Sequence, residues 1–265
     1  MRSVEETLLQ RFDKLSPSSS VAVRVLEVIS NDDVGAADVA ILIATDPVLT
    51  AKIMRMANSN LYAMSGKISQ LNVAIALLGL TTVQSIALTS ALQIVSPIEE
   101  NDWKHSLITA IAATLVASKF GADIGEAFSV GMLHDLGASV FREYDKSGYL
   151  EIMSSVDDPL SPDGEDSLLS LEFERYGTTH PTLGAAIMRS WSLPSEMQDA
   201  VRSHHSHKST SALSKTLRVA DYLAYHAQNG QDLSEPIFAE ISLDEGLVLL
   251  EQLKEQADQS IAMII

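Results

Sequence analysis

No cysteine occurs in the 265 residues, so disulfides and thiolates play no part, and any bound metal must be held by histidine and carboxylate. Basic residues are scarce: 18 Lys plus Arg face 35 Asp plus Glu, a formal net charge of −17. Such a surface repels phosphate backbones and anionic lipid, which excludes nucleic acid and a membrane surface as expected partners. Long apolar runs are missing too. The longest, Leu107 to Ser118, is rich in alanine and falls far short of the roughly 20 residues a bilayer span requires. Met1 to Glu6 lacks the apolar stretch of a secretory signal, so a cytoplasmic location is the expectation. Alternating β-branched runs, internal repeats and low-complexity tracts are likewise absent, which argues against a sheet protein or a solenoid.

What the chain does have is 3.6-residue apolar periodicity almost throughout, and 46% hydrophobic residues, enough to bury a substantial core. The expectation is an all-α protein. Val4 to Leu15 reads as a first amphipathic segment, broken by Ser16-Pro17-Ser18, with a second helix through Val21, Val25 and Ile29. Asp38 to Thr45 follows, and Asp46-Pro47 reads as an N-cap with proline at the first helical position, opening a helix through Leu49, Ile53 and Met56. Ser69 is expected to cap a helix ending at Gly79, after which Thr81-Thr82 starts the next. Pro97 to Asp102 is a polar, acidic break, and the expected division is residues 1–100 as an N-terminal helical part, 101–228 as a second helical subdomain, and 229–265 as an extension with a terminal helix. Within the second part, Trp103 to Phe120, a helix carrying Val130 to Phe141, Leu168 to Tyr176, and helices opening at Thr178 to Pro181 and at Pro194 follow in turn. Asp157 to Gly164 reads as a surface loop.

Polar groups at inward positions are the main functional signal. His134 and Asp135 sit inside Val130-Gly131-Met132-Leu133-His134-Asp135-Leu136-Gly137, an otherwise apolar stretch whose helical face also carries Ala127, Val130, Ala138 and Phe141. Six of the seven histidines lie between residues 105 and 207. Of these, His105, His134, His180, His204 and His205 fall on or beside inward faces, as does Asp221, which interrupts the stripe of Leu213, Leu217 and Ala224. Buried carboxylates must be paired or bind metal, and each unsatisfied polar group costs roughly 1 to 3 kcal/mol. These groups therefore either converge on a divalent ion of the kind imidazole and carboxylate suit (Fe, Mn, Zn, Ni or Co) or form a hydrogen-bonded polar core. A carboxylate such as Asp135 can bridge two ions, as in two-metal hydrolytic sites.

The succession His105, His134-Asp135, His180, His204-His205, Asp221 resembles the signature of the HD superfamily of metal-dependent phosphohydrolases, and in its paired histidines it is most similar to the HD-GYP branch. Ile43-Ala44-Thr45-Asp46-Pro47-Val48-Leu49, Met56-Ala57-Asn58-Ser59 and Ala74-Ile75-Ala76-Leu77-Leu78-Gly79 resemble the HDOD family, the HD-related output domain of bacterial signalling proteins, over about Leu15 to Ala224. The resemblance implies an N-terminal helical subdomain packed on an HD-like one. It further implies that His105, His134, Asp135 and Asp221 hold one ion and that Asp135 bridges to a second held by His180, His204 and His205. The chain departs from the HD-GYP pattern in carrying Ala138 where that branch has a lysine, Ser206 to Thr210 in place of its Asp-Gly-x-Gly-Tyr-Pro run, and Asn101 where some members place a glutamate for a third ion. Two functions follow as expectations. One is a regulatory module with an HD-type metal site, acting through a signalling partner supplied in trans or through a nucleotide or other phosphate-containing ligand. The other is a metal-dependent phosphohydrolase, a phosphodiesterase acting on a nucleotide or cyclic dinucleotide, with Asp135 in the catalytic role. A chain that only scaffolds a larger complex would need neither metal nor turnover.

Overall fold

The computed structural model describes residues 21–29, 35–58, 62, 68–95, 100–156, 162–190, 193–206, 209–238 and 240–264. The segment from Val4 to Leu15, the Ser16 to Ser18 break, Ser59-Asn60, Pro97 to Glu99 and His207-Lys208 lie outside them. Among the described residues the chain is all-helical, with no strand and one isolated antiparallel bridge, Ile237 to Ile241. No helix there is long and apolar enough to cross a membrane.

The N-terminal part holds α1 (Val21–Ile29), α2 (Ala36–Ile43), α3 (Pro47–Ala57), α4 (Leu71–Leu78) and α5 (Leu80–Val95). Asp46 caps α3 as its sequence predicts: its carboxylate accepts the Leu49 N–H at 3.0 Å, and Pro47 supplies the first helical residue, where no N–H partner is needed. Asn58 closes the same helix, its side-chain amide donating to the Met54 and Ile68 carbonyls and its oxygen accepting the Ile68 N–H, so it pins the next loop to the helix end. α4 stops at Gly79, whose φ of 78° belongs to the left-handed region that glycine enters without strain. α5 begins one residue later, at Leu80 and not at Thr81.

The second part is built on α6 (Glu100–Phe120), which starts earlier than Trp103 and absorbs the end of the acidic break. Its stripe of Leu107, Ile108, Ile111 and Ala112 is buried, and α7 (Ile124–Leu133) and α13 (Ala212–Gln228) pack along it. The approach to α7 is close because Gly131 faces Ala110: a Cβ at 131 would lie 2.5 Å from the Ala110 Cα. Next come α8 (Leu136–Tyr144), α9 (Lys146–Ser154), α10 (Pro162–Tyr176), α11 (His180–Ser190) and α12 (Ser195–Arg202). α10 begins at Pro162 and so takes in the last residues of the expected Asp157 to Gly164 loop, Pro162 being a helix starter. α14 (Leu243–Ile264) packs on α6 and α13, and α5 against α7 joins the two parts.

Candidate metal centre

His134 and Asp135 do not ride on one continuous helix. α7 ends at Leu133, Asp135 adopts φ −93° and ψ 17°, and α8 opens at Leu136, so the pair forms the corner between two helices. The corner lets neighbouring side chains, which would diverge by about 100° on a helix, face the same centre. His204 and His205 use the same device. Instead of continuing the Met197–Val201 face, they lie in the turn after α12 ends at Arg202. Arg218 of α13 supports that turn by donating to the Ser206 carbonyl at 3.1 Å and to Glu240 at 2.7 Å.

All seven expected residues meet. Asp135 stands in the middle: one carboxylate oxygen is 3.5 Å from His134 Nε2 and 4.0 Å from His105 Nε2, the other 3.6 Å from His180 Nε2 and 3.9 Å from His204 Nε2. Asp221 lies 3.0 Å from His105 Nε2 and 3.5 Å from His134 Nε2. His180 Nε2 and His205 Nε2 are 3.0 Å apart. Two groups of donor atoms close enough to share an ion result: His105, His134 and Asp135, and His180, His204 and His205. His226 takes no part; it is half-buried against the Tyr222 ring.

The second nitrogens explain the orientation. His134 Nδ1 donates to the Gly131 carbonyl at 2.9 Å and His204 Nδ1 to the Val201 carbonyl at 2.6 Å, which turns both Nε2 atoms inward. These two Nε2 atoms are buried; among the described residues that of His204 makes no hydrogen bond, and that of His134 faces only the Asp135 and Asp221 carboxylates, 3.5 Å away. For His204 that costs about 1 to 3 kcal/mol if left so, and both nitrogens point where metal ligands would. His180 Nδ1 is 2.8 and 2.9 Å from the two oxygens of Glu172, which also accepts the His180 N–H at 2.7 Å and the Tyr149 hydroxyl at 2.9 Å. Thus His180 is tied to a carboxylate. Glu172 is fully buried and escapes a reading of the sequence because Leu171-Glu172-Phe173-Glu174-Arg175 looks like a solvated segment. The signal was its spacing, since Leu168, Glu172 and Tyr176 repeat every four residues along the inner face of α10. Replacing Glu172 by Gln, which keeps the shape and removes the charge, should weaken divalent-metal binding about 10- to 100-fold. It should also lower stability by about 1 to 3 kcal/mol, read as a fall of roughly 3 to 10 °C in Tm.

Protonation follows the same geometry. Burial opposes a charge on His134, but Asp135, Asp221 and the Gly131 carbonyl outweigh it and raise its pKa to about 9. Burial likewise opposes a charge on His180, and Glu172 overcomes it. His204 is held well below the ordinary histidine value by burial and by its histidine neighbours. Burial disfavours ionisation of Asp135, but His134, His180 and His105 prevail and bring its pKa to about 2; Asp221 is lowered as well, mainly by His134 and His105. The carboxylates are therefore anionic and His204 neutral at neutral pH, the forms that ligate metal. Beside the cluster opens a cleft of about 240 Å³, into which Asp135, with its side chain 34% exposed, projects.

A search of protein families matches residues 15–207 to the HDOD domain. An uncharacterized protein of Treponema pallidum is 25% identical over 210 residues, covering 75% of this chain and 39% of that protein, so the chain spans about two fifths of that relative's length. A candidate phosphohydrolase of Shewanella amazonensis shares the fold at a TM-score of 0.71, with 22% identity and coverage of 97% of this chain and 98% of the other. A candidate signal transduction protein of Marinobacter aquaeolei does so at 0.62, with 21% identity over 100% of this chain and 61% of the other. The helical order, the motifs around Asp46-Pro47 and Gly79, and the domain match agree, and the chain belongs to the HDOD domain family.

Proposed function

We propose that this protein is a signal-transduction module whose HD-like part holds one or two divalent ions and takes a phosphate-containing ligand there, passing that state to a protein partner supplied in trans. The carrying observation is that His204 Nε2 is buried without a hydrogen bond among the described residues, and that His134 Nε2 is buried facing only Asp135 and Asp221, within a cluster of five imidazoles and two carboxylates. The donor set fits a divalent transition ion such as Fe, Mn, Zn, Ni or Co. His105, His134, Asp135 and Asp221 would hold one ion and His180, His204 and His205 the other, with Asp135 shared as in the HD-GYP pattern. When bound, such ions supply Lewis acidity and neutralise the charge of a phosphate ester. The chain's own groups do the rest: the Gly131 and Val201 carbonyls fix two histidine tautomers, Glu172 orients His180, and Asp135 presents its carboxylate to the cleft.

One observation favours hydrolysis as a second reading: Asp135, alone between the two donor groups, is also open to the cleft. Ala138, which lines the same cleft, offers no charge to a scissile phosphate. Elemental analysis of protein purified without added metal, followed by a phosphodiesterase assay with Mn or Fe, separates the two. Bound metal without turnover supports the regulatory module. Turnover that vanishes in Asp135→Ala supports the enzyme, and absence of metal from a folded chain sinks both.

Metal uptake should also depend on pH in a set direction. Because His134 is protonated below about pH 9 in the metal-free protein, an ion must displace that proton, and apparent affinity should rise by up to about tenfold per unit between roughly pH 6 and 8. Calorimetry in buffers of different ionisation enthalpy will report the released proton.

A further inference from the structure

Among the described residues, the cleft beside the cluster is lined by one arginine, Arg142, and no lysine. Asp135, Ala138 and Arg142 follow one another at i, i+3 and i+7, so this cation stands on the same face as the central carboxylate, about two turns along α8. Ala138 between them is small and leaves the path from Arg142 toward Asp135 open. The guanidinium lies over the Tyr149 ring, 5.5 Å from its centroid, and the Tyr149 hydroxyl is in turn anchored on Glu172. Arg142 Nη1 is ion-paired with Asp102, which sits on α6 three residues before His105 and also lines the cleft. Both side chains of the pair are 24% exposed.

Solvent reaches both side chains of the pair and screens it in part, so another anion can take the place of Asp102. The arginine fork has five donors and matches the oxygens of a phosphate better than a point charge would. Three carboxylates, Asp102, Asp135 and Asp221, also face the cleft, and they repel an anion until divalent charge offsets them. Recognition at Arg142 is therefore coupled to metal loading. The volume of about 240 Å³ lies below the roughly 300 Å³ at which pockets for drug-sized ligands begin, which suits a phosphate with a modest group attached and not a whole dinucleotide.

Resting on the metal-site reading proposed above, we infer that Arg142 is the phosphate-recognition residue of this cleft, held ready by Asp102 and Tyr149. Its ligand is a phosphate monoester of mononucleotide size or smaller. The test is calorimetric titration of inorganic phosphate into the full chain loaded with Mn, with metal content measured separately by elemental analysis. Arg142→Gln should weaken phosphate binding about tenfold or more, Arg142→Lys should recover part of that loss, and Asp102→Asn should bind phosphate at least as tightly as the parent, all with unchanged Mn content. Adenosine monophosphate should compete with phosphate and a cyclic dinucleotide should not. A parent chain that takes up no Mn overturns both readings. A parent chain that takes up Mn and either ignores millimolar phosphate or binds it equally well as Arg142→Gln overturns this inference alone, as does weaker binding in Asp102→Asn or competition by the cyclic dinucleotide.

Discussion

Replacing Asp135 by alanine will reduce metal affinity by more than about 100-fold while leaving the helical fold in place. The magnitude follows from position. A residue that merely orients a ligand is worth about 10- to 100-fold in affinity, and Asp135 is central: its two oxygens face four imidazoles belonging to both donor groups. The structural cost is small for an unexpected reason. Asp135 occupies the N-cap of α8, where loss of a capping side chain typically costs about 1 kcal/mol, yet its carboxylate accepts no capping hydrogen bond. The helix keeps its start without it, and the positive end of the α8 dipole favours the anion without depending on it. Far-UV circular dichroism should be unchanged and elemental analysis should find the ions gone. A folded variant that retains its metal would mean that Asp135 is not a ligand. In the metal-free parent, His134 contributes stability that is complete below its unfolded value of about 6.5 and disappears as pH rises through about 9. Asp135→Ala removes one of the two carboxylates that sustain it, so the variant's melting temperature should respond less to pH in that window.

The fold was legible in the sequence because it rests on periodicity, and the membership of the centre was legible from inward polar positions together with the resemblance to the HD signature. His105, His180 and Asp221 sit on helices as expected and meet the other four residues. The corners were not legible. Apolar residues run through Val130-Gly131-Met132-Leu133 and on into Leu136-Gly137-Ala138 without proline or a polar cluster to mark a break, so a local reading joins two helices into one. Only the packing of Gly137 beneath His180, a contact between residues far apart in the chain, exposes the turn. The His204-His205 pair carries the same lesson: two adjacent side chains cannot share a helical face, and the chain resolves this by leaving the helix at Arg202. Glu172 was hidden for the opposite reason. It obeys the periodicity, but charged neighbours at Glu174 and Arg175 disguise a buried acid as a surface one. Arg142 could not be placed at all without knowing that Asp102 and Tyr149 close around it.

Gly137→Ala is the substitution for which local and tertiary physics disagree in sign. Gly137 is the second residue of α8 and its backbone is helical, so by intrinsic propensity alanine should stabilise the chain by up to about 1 kcal/mol. Packing predicts the reverse. A Cβ at 137 would overlap the carbonyl oxygen of His180 and lie 2.8 Å from that residue's Cα and carbonyl carbon. The obstruction is backbone, so no rotamer change relieves it, and α8 must part from α11. Overpacking of this kind costs about 1 to 3 kcal/mol, and the displaced residue is His180, whose N–H and ring are both fastened to Glu172. A net loss of about 1 to 3 kcal/mol is expected, a fall of roughly 3 to 10 °C in Tm, together with weaker metal binding. Gly184→Ala at the same interface is the comparison: its Cβ would meet the flexible Val201 side chain at 3.3 Å and the Gly137 nitrogen at 3.4 Å, and it should cost less than about 1 kcal/mol. If Gly137→Ala proves neutral or stabilising and still binds metal as the parent does, then α8 and α11 are not as close as described, and His180 is not held where the centre requires it.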